Sequence, residues 1–422
     1  MNFKKSTLPN GLRVITAEVK DSPTVTVSVA VETGSNYESE SENGISHFLE
    51  HMCFKGTTKR PGSRIVSHEL DALGAENNAF TSNELTLYYA KVAKKHFHKA
   101  FEIVSDLYLN PLLPKEDLER ERGVILEELS MYEDIPQYKV QEVLAKLVYG
   151  DTPAGRSILG PRENIKRFNR DDFVKYRNKH YVAPKTIVIV SGNVEHKDVL
   201  KKVKTYFKDI PVSKKVSKQK VIDKQSSPQI LIHKKKTDQT HMVLACRAYK
   251  ANDKRSLALI LLVEVLGKGM SSRLFTKLRE EMGACYYVKS SYDHYTDHGL
   301  FTISTGVNIS RTKEVLKVLL EECNKLANTL VSEEELNKAK EHFAGHLYMG
   351  LETNDALAGF YVEQEVVTGE LKKPVDIEKS IRNITAKDIQ KVAKDIFKNN
   401  KLNLAVVGDI KNEAELKKIL SF

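Results

Sequence analysis

Cysteine is scarce in this chain. Cys53, Cys246, Cys285 and Cys323 are scattered through 422 residues without C-x-x-C spacing. That pattern argues against a thiolate zinc site or a disulfide framework, so any bound metal must rely on histidine and carboxylate. Glycine (21 residues) and proline (12) both fall below average usage, which excludes collagen-like and low-complexity chains. Long apolar runs are missing too. The longest, Leu257–Val263, has seven residues, whereas a membrane-spanning helix takes about 20. The opening residues carry neither an apolar stretch of signal-peptide length nor an Arg/Ser-rich amphipathic segment, so a cytoplasmic protein without membrane contact is expected. No Walker, RNP or zinc-finger pattern accompanies the 66 Lys+Arg set against 56 Asp+Glu, a net charge of +10. Without a recognition module that excess reads as a lysine-rich solvated surface, and no nucleic-acid partner is expected. The rest is 41% hydrophobic and 29% charged, long enough for two or three domains.

The chain opens as a hairpin, with Asn10-Gly11 expected to supply the two positive-φ residues of a tight turn. Thr24–Val31 alternates, with Val25, Val27, Val29 and Val31 on one face, and reads as a half-buried strand. Helical patterns flank a β-prone stretch from Asn77 to Ala90. Between Lys208 and Pro228 the composition shifts to Lys, Ser and Gln, the mark of a solvated linker. An internal repeat supports a boundary there. The segment Ile165–Val203 returns 216 positions later without a gap, pairing Asp172 with Asp388, Gly192 with Gly408 and Leu200 with Leu416. A second match at an offset of 218 aligns Leu118 with Leu336 and Met131 with Met349. The expectation is an α+β chain of two homologous domains, each an antiparallel-rich β-sheet packed with helices: residues 1–212, a linker at 213–228, and residues 229–422.

Chemistry concentrates in the first half. His47-Phe48-Leu49-Glu50-His51 places two imidazoles and a carboxylate on one helical face. Histidines one turn apart can hold zinc, and a carboxylate beside them can take a proton from the attacking water. This H-x-x-E-H order is the signature of inverzincins. A third ligand is needed, because catalytic zinc usually has three protein ligands and one open position. Glu116–Ser130 reads as a helix with Glu121 and Glu128 seven apart, two turns along one face, so that Glu128 can reach the metal with Glu121 supporting it. On spacing alone, a charged surface helix stays open as the alternative. Two other histidine pairs, His342/His346 at helical spacing and His294-Tyr-Thr-Asp-His298 in a strand-and-turn context, are expected to be solvated side chains.

The flanks add Gly34-Ser35, Asn43-Gly44-Ile45-Ser46 before the motif, Phe54-Lys55-Gly56-Thr57 after it, and Asn78-Ala79-Phe80-Thr81-Ser82 further on. Over essentially its whole length the chain resembles the pitrilysin family of inverted-motif zinc peptidases. The resemblance implies one zinc ion per chain held by His47, His51 and Glu128, with Glu50 as general base and Glu121 behind the ligands. It also implies substrate laid as an added strand along Asn77–Ser82, with Asn78, Ala79 and Phe80 in contact. In the second half, Leu266–Phe275 followed by Leu278-Arg279-Glu280 and Gly283–Tyr286 is family-like, and Arg279 with Tyr286 would be a pair contacting substrate near the scissile bond. Lys268 departs from a loop that is often all glycine. The second half has no H-x-x-E-H, and Ala339 and His346 align with Glu121 and Glu128. The family encloses substrate between two double-domain halves, of which this chain supplies one. A homodimer is therefore expected, with Arg279 and Tyr286 acting across the interface, to cleave short or unfolded polypeptides. The competing expectation is a non-catalytic scaffold or peptide-binding subunit of a heteromeric peptidase.

Overall fold

The alternating stretch at Thr24–Val31 forms a strand, but Val25 through Val31 are all buried, so it lies covered on both faces rather than one. In the computed structural model, which describes residues 2–422, it is the third strand of a six-stranded sheet. The strands are β1 (Asn2–Thr7), β2 (Arg13–Glu18), β3 (Thr24–Val31), β4 (Glu76–Thr81), β5 (Thr86–Ala93) and β6 (Thr186–Gly192), in the order β1-β2-β6-β3-β5-β4. Only β2 and β6 run parallel. The second sheet comprises β7 (Gln229–Lys234), β8 (Gln239–Ala248), β9 (Cys285–His294), β10 (Gly299–Asn308) and β11 (Leu402–Gly408), in the order β7-β11-β8-β10-β9. Its one parallel pair is β7 with β11.

From β2 onward the two sheets have the same order and the same parallel pair, so the repeat read in the sequence is a repeat of topology. The fold is α+β, with two antiparallel-rich sheets covered by helices.

The opening hairpin forms, but its connection is longer than expected. β1 and β2 pair from Asn2↔Glu18 to Thr7↔Arg13, leaving a five-residue loop. Of its residues only Gly11 has positive φ, at +86°, so a loop closed by one left-handed residue replaces the expected tight turn.

The two compact units do not follow the two halves of the chain. One gathers residues 1–129, 156–219 and 349–373; the other gathers 130–155, 220–348 and 374–422. The boundary expected at 213–228 lies near the 219/220 division, but each half also gives one helix to the unit built on the other half's sheet. Pro136–Tyr149 packs on β7, β8 and β11, and Asn354–Val367 packs on β2, β3 and β6. These two helices are themselves repeat partners at the 218-residue offset. The physical reason is the two-sided burial of both sheets. In the second unit, Met242, Leu244 and Cys246 of β8 join one apolar cluster, while Val243 and Ala245 join another with Val140, Val143, Leu144 and Val148 of the exchanged helix. In the first unit, buried Glu365 of the exchanged helix pairs with Lys5 at 2.6 Å and Arg13 at 3.3 Å. Among the described residues no helix is long and apolar enough to cross a membrane.

Candidate metal centre

The helix Ile45–Cys53 starts at Gly44, whose φ of +96° places it in the left-handed region, with no side-chain cap at that position. The fully buried Glu38 caps it from a distance. Its carboxylate accepts hydrogen bonds from the backbone N–H of Gly44 and of Ser46, both at 2.8 Å, and from Asn43 Nδ2 at 3.0 Å. This satisfies donors that a helix start leaves open; burial raises the Glu38 carboxyl, while its hydrogen bonds from Ser46, Asn43 and Gly44 pull the other way. Ile45, Phe48, Leu49 and Met52 turn into the core, with Phe48 edge-on to Phe173 at 5.0 Å between ring centres. That apolar face fixes the rotation of the helix and sends His47, Glu50 and His51 to the other side.

The second helix, Lys115–Asp134, buries Leu118, Glu121, Ile125 and Leu129. Glu128 sits one position before Leu129 at the edge of that stripe, so the packing that seats the helix also delivers the carboxylates. Glu128 Oε2 lies 3.7 Å from His47 Nε2 and 3.8 Å from His51 Nε2. These separations are too long for hydrogen bonds, yet they are close to the roughly 3.4 Å between donors that share a tetrahedral ion at about 2.1 Å. Among the described residues, His47, His51 and Glu128 are the only three such side chains whose donor atoms can gather within 4.8 Å. Burial, helped by His51, pushes the His47 imidazole down to about 3, so the ring is neutral and its Nε2 is able to ligate. Burial raises Glu128. Two imidazoles and a half-buried carboxylate converging without satisfying one another fit a divalent cation.

Behind the donors, Glu121 Oε2 lies 3.1 Å from His51 Nδ1, and Glu121 Oε1 takes an ion pair from Lys55 at 2.6 Å. Burial pushes Glu121 up, but the hydrogen bonds to His51 and Lys55 carry it below the ordinary range. An ionised Glu121 holds a proton on Nδ1 and leaves Nε2 free to ligate. His47 Nδ1 has no such partner. Glu50 is half-buried, and its Oε2 accepts a hydrogen bond from Thr81 Oγ1 at 2.6 Å. Burial raises it and Glu128 adds to the rise, while Thr81 and His51 pull the other way.

Asn78, Ala79 and Phe80 lie on β4, the edge strand of the first sheet, which pairs only with β5. Phe80 is 43% exposed, whereas Ala79 is buried. The donors belong to the first unit, and Arg279 and Tyr286 belong to the second. There they are partners of one another. The Arg279 guanidinium donates to the Tyr286 carbonyl oxygen and lies 4.8 Å from the centre of the Tyr286 ring, which is 77% exposed on the edge strand β9. Of the other histidine pairs, His342 gives Nδ1 to Glu264 at 2.6 Å and His298 gives Nδ1 to Asp297 at 2.7 Å.

Three residues of the site escaped the sequence reading. Lys55 lay within a noted flank, four residues after His51 and just past the end of its helix, without its partner in view. Thr81 lay within a noted segment but without a partner in view. Glu38 gave no signal, because it caps a helix that starts seven residues later.

A helix-borne pair of histidines, a carboxylate between them and a third donor from another helix are the donor set that a metallopeptidase centre requires. Comparison with known proteins places the chain. A family model described as insulinase (peptidase family M16) matches residues 13–162, and one described as peptidase M16 inactive domain matches 167–343. An uncharacterized zinc protease of Streptomyces coelicolor is 32% identical over 97% of this chain and 90% of its own. The uncharacterized zinc protease YmxG of Bacillus subtilis is 31% identical over 94% and 96%. The crystal structure of a protease from Helicobacter pylori shares the fold with a TM-score of 0.89 at 22% identity, covering 96% of this chain and 99% of that one. The chain belongs to the M16 family, the pitrilysin-type zinc peptidases.

Proposed function

We propose that the chain is a zinc-dependent endopeptidase acting on short or unfolded polypeptides. The observation that carries this reading is the convergence of His47, His51 and Glu128, with Glu50 beside them and Glu121 behind. Zinc bound there supplies Lewis acidity toward a water and a scissile carbonyl. Glu50, raised by burial toward the working range of a general base, takes the proton of the attacking water and returns it to the departing amine. The unpaired edge of β4 receives the substrate main chain as an added strand along Asn78, Ala79 and Phe80, which tolerates many side chains. Arg279 and Tyr286 of one subunit of a homodimer act at the metal centre of the other, donating to the peptide carbonyl as charge develops on it.

Removal of zinc by a chelator should abolish cleavage of an unstructured peptide, and about one equivalent of zinc per chain should restore it. Cleavage that survives complete metal removal would sink the reading.

The second reading, a non-catalytic subunit, draws on the match of residues 167–343 to a domain described as inactive. That segment lies outside the motif helix, and the full donor set of the first half favours the enzyme.

A further inference from the structure

We propose that Thr81 is a positioning residue that couples the substrate strand to the general base; the inference rests on the peptidase reading above. Among the described residues, the one hydrogen bond that Glu50 accepts comes from Thr81, at 2.6 Å to Oε2. An ionised carboxylate only accepts, so the hydroxyl must be the donor. Once Oε2 is held, the other oxygen of Glu50 is left to meet the reacting proton.

Thr81 is the last residue of β4, paired with Thr86 of β5. The motif helix packs against that strand. Alternation along the strand puts Thr81 on the same face as the buried Ala79 and opposite the exposed Phe80. Thr86 Oγ1 lies 3.5 Å behind the hydroxyl and donates its own proton to the Thr33 carbonyl at 3.1 Å, so it does not compete for the proton that Thr81 gives to Glu50. A β-branched residue has few χ1 choices, so the donor direction is set by the backbone of the strand. A peptide added to β4 restrains that backbone and, through Thr81, the orientation of the base. Seating of substrate and aim of the carboxylate become one event.

The test is steady-state kinetics on an unstructured peptide with the full chain and the variants Thr81→Val, which keeps shape and loses the hydroxyl, and Thr81→Ser, which keeps the hydroxyl. Thr81→Val should bind zinc as the parent does, keep KM within about 3-fold and lose about 10- to 100-fold in kcat, the scale of a base misplaced by about 1 Å. Thr81→Ser should recover kcat to within about 3-fold of the parent. Thr81→Ala carries the same expectation as Thr81→Val should that variant fail to fold. The inference is overturned if Thr81→Val keeps the parental kcat, if it raises KM alone, or if Thr81→Ser falls as far as Thr81→Val. A parent that holds zinc and does not cleave overturns the peptidase reading and this inference together, whereas a parent and Thr81→Val that cleave alike overturn this inference alone.

Discussion

His180 shows at the residue scale how burial sets protonation in this fold. It is fully buried, with Nδ1 3.2 Å from Thr33 Oγ1 and 3.3 Å from Lys185 Nζ. Burial, with Lys185 and Lys179 adding to it, pushes the imidazole from 6.5 down to about 3. Between those values the unfolded chain binds a proton that the folded chain does not. Stability therefore rises with pH across that window and is lost as pH falls from about 6.5 toward 3. Denaturant titrations of the metal-free protein at several pH values should show a slope that flattens in His180→Gln by up to one proton, about 1.4 kcal/mol per pH unit. An unchanged slope would contradict this account of His180. At the metal centre the division between legible and hidden residues has a physical cause. His47, Glu50 and His51 share one helical face, so their convergence is written in local spacing. Glu128 and Glu121 are written in a seven-residue spacing on another helix, which leaves only the meeting of the two helices to the fold. Thr81 and Glu38 act on the motif helix from a strand and a loop, and no periodicity links them to their targets.

At the scale of elements, the repeat was legible because its helix, strand, glycine turn and helix recur in order. The exchange of helices was not. Pro136–Tyr149 and Asn354–Val367 read as ordinary amphipathic or apolar segments, and nothing local says which sheet an apolar face will cover. The consequence can be tested by dividing the chain within 213–228. Residues 1–212 alone lack the helix that covers β2, β3 and β6 and leave Arg13 and Lys5 without Glu365. Residues 229–422 alone lack the helix whose Val140, Val143, Leu144 and Val148 complete an apolar cluster. Neither piece should fold alone as judged by hydrogen exchange and near-ultraviolet dichroism, and the two expressed together should recover the native signal. Independent folding of the first piece would contradict the exchange as a requirement of the fold.

For the whole molecule, one candidate metal centre stands in a chain built from two copies of one topology. In the second copy His346 stands at the repeat position of Glu128, and its neighbour His342 is occupied by Glu264. The donors stand on two helices of the first unit and Arg279 and Tyr286 belong to the second, and the proposed homodimer draws on that separation. Specific activity should fall on dilution into the nanomolar range as subunits part, and a constant value for a species that sediments as a monomer would exclude shared sites. The central claim, that His47, His51 and Glu128 hold zinc for a reaction whose base is Glu50, is tested most directly by measuring zinc content and peptide cleavage together in the parent and in Glu50→Gln. Both proteins should hold about one zinc per chain, with the rate of the variant lower by at least about 100-fold. Equal cleavage by the two, or zinc bound by both with cleavage by neither, would contradict it.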